Sequence, residues 1–172
     1  MPIVDFYLER RADAQGRFIE TIWGWAPERL ERVHDYIQWL FPLPEPSAFN
    51  ARAPLLDEAT QRAFRESLDL RVRLLRSYDL MLAFYGLRRA QQGDAAVAVE
   101  PAATFASHRA WLGAGNHNHL RLTRILKSAR LLGLEAESRA LFDCLERIAQ
   151  TERTGISATT RRYWAAASAS GD

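Results

Sequence analysis

Apolar positions along this chain recur at spacings of three and four far more often than at two, and the pattern predicts helices throughout. Phe18, Ile19 and Ile22 mark a brief helix that Gly24 breaks. Pro27 takes a favoured first helical position, and Leu30, Val33, Ile37, Leu40 and Phe41 follow at helical spacing, which predicts one helix over 27–41 ended by Pro42. The segment PLPEPSAFNARAPLL after it reads as extended, partly polyproline-like chain crossing the surface. Asp57 is placed to cap a helix over 58–66. The helix expected over 68–87 carries Leu70, Leu74, Leu75, Tyr78, Met81, Leu82 and Tyr85 around a wide arc, as a central bundle helix does.

The stretch RRAQQGDAAVAVEPAATF lacks that period and reads as a mobile surface loop, with AAVAV its best strand candidate. Further helices are predicted at 107–112, at 118–132 before Gly133, at 135–150, and at 158–166 after a Ser157 cap. The expected fold class is all-α, a single compact bundle of about six to eight helices spanning residues 1–167, with 168–172 as a disordered tail.

Helical phase sorts the side chains further. In the 27–41 helix, Ile37, Leu40 and Phe41 share the apolar arc, His34 falls inside it as a core histidine, Tyr36 lies on the flank, and Trp39 points about 160° from its centre. Aromatic residues therefore surround the last turn, either buried under the stiff proline segment, the favoured reading, or leaving Trp39 to a partner. In the 118–132 helix, Asn118, Leu122, Ile125, Leu126, Ala129 and Leu132 form one face, with His117, Arg121, Arg124 and Ser128 along its border. His119, Thr123, Lys127 and Arg130 are expected on the solvated side.

Composition adds limits more than direction. The 172 residues are 48% hydrophobic and 26% charged, ordinary for one globular domain. A formal charge of +2 is too small to imply nucleic-acid binding without clustering of basic residues. Cys144 cannot form an intramolecular disulfide and is expected as a buried inert thiol. No apolar run approaches the roughly 20 residues of a membrane span, and the amino terminus lacks the order of a signal peptide, so a cytoplasmic location is expected.

Candidate chemistry centres on GNHNHLRLTR. His117 and His119 lie about 200° apart on a helix, which argues against a metal pair, and Asn116 or Asn118 is placed to cap the helix start. Arg121 and Arg124 sit where a guanidinium can lay its stem on the core and grip a carboxylate or a ligand anion. Two readings follow: structural ion pairs with carboxylates such as Glu31, Asp35, Glu45 or Asp57, or anion and peptide binding. There is no nucleophilic triad context, phosphate-cradling glycine loop or paired acid and base, so neither an enzyme nor a cofactor or metal is implied.

The blocks FIETIWGW, DYIQWLFPLPEPSAFN, LLRSYDLMLAFYGL and NHNHLRLTRILKSARLLGLE closely resemble the conserved region of the opioid growth factor receptor family, over about residues 6–145. The resemblance implies a helical region which, in animal members, belongs to a perinuclear or nuclear receptor for an endogenous opioid pentapeptide. The chain stops near the end of that region, and its Arg- and Ala-rich composition suggests a bacterial source. No catalytic residues carry over. The candidate ligand-binding residues are Tyr36, Gln38, Trp39, Glu45, Asn116, His117, Asn118, Arg121 and Arg124.

The expected function is a non-catalytic binding or regulatory module for a peptide or small polar ligand. The alternative is a nucleic-acid-associated helical domain using Arg121, Arg124, Lys127 and Arg130.

Overall fold

The computed structural model describes residues 1–48, 50–92, 96–152 and 154–169. It divides into two compact units, Met1–Leu80 and Met81–Asp172.

The first unit holds α1 (Pro2–Tyr7), α2 (Ile19–Trp23), α3 (Pro27–Arg32), α4 (Ile37–Leu40), α5 (Glu58–Glu66) and most of α6 (Leu68–Phe84). Helices α1 to α4 run only four to six residues, too short to persist on backbone hydrogen bonds alone. Tertiary contacts hold them. Phe6, Tyr7, Tyr36, Phe41 and Phe64 are fully buried, with Tyr7 edge-on to Phe64 at 5.0 Å and Phe6 against Trp39 at 5.2 Å between ring centres.

Inside this aromatic core sits a hydroxyl node. The Tyr7 hydroxyl donates to the Leu40 carbonyl at 2.6 Å and lies 3.2 Å from Ser77 Oγ, which accepts from Trp23 Nε1 at 2.9 Å. Burial pushes the Tyr7 phenol well above its ordinary range, so it stays a donor at neutral pH. Three bonds through one tyrosine and one serine thus tie α1, α2, α4 and α6 together.

The single helix expected over 27–41 is in fact two, α3 and α4. Val33 is extended (φ −91°, ψ 135°) and residues 33–36 separate the pieces. The break lets the Tyr36 hydroxyl fold back and donate to the Leu30 carbonyl at 3.1 Å, satisfying an acceptor in the last turn of α3, while its ring packs edge-on to Trp25. His34, expected in the core, is exposed because the break removes it from the helical arc. The Asp57 cap forms as expected: its Oδ1 accepts from the Thr60 N–H at 2.7 Å.

In the second unit the all-α expectation is overturned. Leu87–Gln92 (β1) and Ala96–Pro101 (β2) form an antiparallel hairpin with Leu87 opposite Pro101 and Arg89 opposite Val99, so the fold mixes helices with a small sheet. Residues expected to form a loop are thus strands. Leu87 and Val99 are buried, Arg88 pairs across the strands with Glu100, and Arg147 donates to the Val99 carbonyl at 2.9 Å. The alternating Val97 and Val99 suit a strand with one covered face, and β2 packs against α8 (Glu135–Thr151). Gly86 enables the entry: its φ is +71°, and a Cβ there would lie 2.8 Å from the Phe105 Cα.

Two 3-10 turns, Phe105–Ser107 and Arg109–Leu112, replace the short helix expected at 107–112. They lead to α7 (Asn118–Leu131), then α8, then α9 (Ala158–Ser168). Leu122, Ile125, Leu126 and Ala129 of α7 and Leu141, Cys144, Leu145 and Ile148 of α8 are buried, and Trp164 is the largest buried side chain of α9. The Ser157 cap is present, accepting from Thr160 N–H at 3.1 Å. Of the expected tail, Ser168 is the last residue of α9 and 170–172 lie outside the described residues.

Candidate functional site

The polar centre of the second unit is the first turn of α7. Asn116 accepts from the Asn118 N–H at 2.9 Å and donates to the Ala110 carbonyl at 3.2 Å, so it shapes the helix entry as the sequence suggests. Asn118 and Arg121 are both buried, 2% and 5% exposed. Arg121 Nη1 donates to Asn118 Oδ1 at 3.3 Å, and the Tyr85 hydroxyl approaches the same oxygen at 3.4 Å. Trp111 closes the group: its ring is edge-on to Tyr85 at 5.6 Å, and its Nε1 donates to the Tyr85 carbonyl. A guanidinium this far from water is costly unless charge and hydrogen bonds are well matched around it. His117 is exposed at the head of the helix, and Arg124 is half-buried one turn along.

The candidates from the first unit have a different character. Tyr36, Gln38 and Trp39 are buried, and Glu45 is exposed. Tyr36 holds the Leu30 carbonyl, and Trp39 packs against Phe6. The Gln38 amide nitrogen, turned toward them, donates to the His34 and Asp35 carbonyls, each at 3.2 Å. Tyr36 and Gln38 thus hold the backbone of the α3–α4 break, while Trp39 packs α4 against α1. Of the carboxylates named as structural partners, Asp35 Oδ1 lies 2.9 Å from Arg17 Nη1, and Asp57 caps α5.

On α7 the structure reverses the sequence reading of the outer face, most clearly at His119. His119, expected on the wet side of α7, is 6% exposed. Its Nε2 meets the Trp111 carbonyl at 2.8 Å, its ring is edge-on to Trp164 at 5.8 Å, and its own carbonyl accepts from Trp164 Nε1 at 3.1 Å. Burial lowers its pKa, only partly offset by the bond to Trp111. The cause is α9, which covers the outer side of α7; Arg130, also expected in water, donates to the Ala167 carbonyl at 3.0 Å. The signal available in the sequence was the apolar spacing of Trp164 and Ala167, which needs a partner face.

Two concavities line the second unit. One of about 280 Å³ lies between α8 and α9 at Phe142, Glu146, Arg161 and Ala165; the other, of about 330 Å³, lies beside Pro101, Phe105, Cys144, Arg147 and Glu152. None of the candidate residues lines either one. The polar groups are engaged within the protein: Glu146 with Arg161, Glu152 with Arg109, and Arg147 with the Val99 carbonyl. Burial pushes the Cys144 thiol up to about 11, so it is protonated and a poor nucleophile at neutral pH. Among the described residues, no group of three or more His, Cys, Asp or Glu is arranged to hold a metal ion, and no helix is long and apolar enough to cross a membrane.

Comparison with known proteins adds what geometry cannot. Residues 3–167 match the family model of the Opioid growth factor receptor (OGFr) conserved region. The chain is 45% identical over 123 residues to the opioid growth factor receptor of Rattus norvegicus, covering 70% of this chain and 21% of that protein. It is 38% identical over 169 residues to the Homo sapiens receptor, covering 95% and 24%. To the opioid growth factor receptor-like protein 1 of Rattus norvegicus it is 36% identical over 143 residues, covering 81% and 30%. The chain thus spans about a quarter of the length of these relatives. No solved structure matches it.

Proposed function

The chain belongs to the opioid growth factor receptor conserved-region family, and from that premise we propose that residues 1–167 act as one non-catalytic binding module for a peptide or small polar ligand, without chemical turnover and without a cofactor. The entry turn of α7 carries the reading. The buried Arg121–Asn118 pair holds that turn in place, and exposed His117 and half-buried Arg124 beside it are suited to meet a carboxylate or carbonyl brought by a ligand. Asn116 orients that turn. Support also comes from the names of the relatives, which are receptors rather than enzymes.

The first-unit candidates Tyr36, Gln38 and Trp39 take a supporting part in this reading, since their contacts hold backbone in place. Glu45, exposed in the proline-rich segment, remains a candidate contact for a cationic group. A cytoplasmic location is proposed with the rest.

Titration calorimetry with enkephalin-like pentapeptides tests the reading. Saturable heat that weakens about tenfold or more in His117→Ala or Arg124→Ala, with circular dichroism unchanged, is the expected outcome. No heat at millimolar peptide would remove the opioid ligand. Equal affinity in both variants would remove the α7 site.

A further inference from the structure

The cavity of about 330 Å³ in the second unit has a lining that grades from exposed Pro101 and Arg147, through half-buried Phe105 and Glu152, to buried Cys144 and Ile148. It therefore meets solvent on one side and the core on the other. Its volume is at the small end of ligand pockets, and its make-up is theirs, an apolar surface with a few polar groups.

The charges around it do not balance. Glu152 pairs with Arg109, whose guanidinium also lies over the Phe105 ring at 5.9 Å, and Glu100 on the neighbouring strand pairs with Arg88. Arg147 has no such partner: one of its N–H groups goes to the Val99 carbonyl at 2.9 Å, and among the described residues no carboxylate forms an ion pair with it. The guanidinium also lies beside the Cys144 thiol, which burial pushes up to about 11, so the sulfur stays protonated and does not neutralise it. The cavity thus sets one uncompensated positive charge beside an apolar wall of Pro101, Phe105 and Ile148.

A carboxylate complements a guanidinium through paired, charge-assisted hydrogen bonds, and an apolar body displaces water from such a wall. A cation would be repelled by Arg147, and a polyhydroxylated ligand would press hydroxyls against apolar surface. We infer that this cavity is a binding site for a small monocarboxylate with an aromatic or short aliphatic body, its carboxylate on Arg147 and its apolar part against Phe105 and Ile148. The site shares no residue with the α7 turn proposed above and stands without it.

Methyl NMR of the isoleucine-labelled protein, with Ile148→Val assigning the Ile148 signal, tests it by titration with phenylacetate and with its neutral analogue phenylacetamide. Phenylacetate should shift the Ile148 methyl saturably, with affinity on the order of millimolar, and phenylacetamide should bind about tenfold more weakly. Arg147→Gln should abolish the preference for the carboxylate, and Arg147→Lys, which keeps the charge, should retain it. The comparison of the two probes on the unaltered chain stands even where loss of the Val99 contact unfolds a variant. No saturable shift at Ile148, equal affinity for the two probes, or shifts confined to α7 with Ile148 unmoved would overturn the inference.

Discussion

Ser77 and Ser138 are both fully buried serines, one in each unit, and their hydroxyls serve different purposes. Ser77 Oγ accepts from Trp23 Nε1 and lies beside the Tyr7 hydroxyl, joining helices of five and six residues to α6. Ser138 donates to the Leu126 carbonyl, a contact between helices of 17 and 14 residues that pack together and bury Leu122, Leu126, Leu141 and Leu145. Short helices cannot hold themselves, so the first unit depends on a few polar bonds inside an aromatic core. The longer helices α7 and α8 meet over a broad apolar stripe, and their buried hydroxyl adds little to it.

The largest test of this contrast is Tyr7→Ala, which removes a fully buried ring together with the bond to Leu40. Chemical denaturation should show a loss of about 3–5 kcal/mol, as for other large aromatic truncations. Next is Gly86→Ala in the second unit, where polar bonds are not the issue but backbone space is. The positive φ and the 2.8 Å approach of the Phe105 Cα should cost about 1–3 kcal/mol, read as a fall in Tm.

His119 sharpens the contrast through pH. Its folded pKa is depressed below the ordinary value of 6.5, so below that pH the unfolded chain binds the extra proton more readily. This contribution to stability is complete above pH 6.5 and is lost as pH falls toward the folded pKa. Denaturation across about pH 5 to 7 should therefore show stability rising with pH, and His119→Gln should flatten the slope. The smallest effect belongs to Asp57→Ala, which deletes the cap of α5 and should cost about 1 kcal/mol by the same assay.

Much of this was legible in the sequence, and the exceptions have physical causes. The caps at Asp57 and Ser157 and the apolar face of α7 follow from local chemistry and phase, and all three are present. The α3–α4 break was hidden because Leu30, Val33, Ile37 and Leu40 keep helical spacing across it; the bonds from Tyr36 to Leu30 and from Gln38 to His34 and Asp35 hold the chain where it turns. The hairpin was hidden because Arg88, Arg89, Gln91 and Gln92 give β1 little apolar alternation. At the candidate site, phase placed Asn118 on the covered face but put His119 in water, since the period of one helix does not reveal that α9 covers a second side.

The most direct measurement compares Ser77→Ala with Ser138→Ala by urea denaturation. Ser77→Ala leaves the buried Trp23 N–H without its acceptor, for an expected loss of about 1–3 kcal/mol. Ser138→Ala removes a donor from a helical carbonyl, for an expected loss of about 1 kcal/mol or less. Equal losses, or a larger loss at Ser138, would contradict the division between a core pinned by polar bonds and one held by apolar packing.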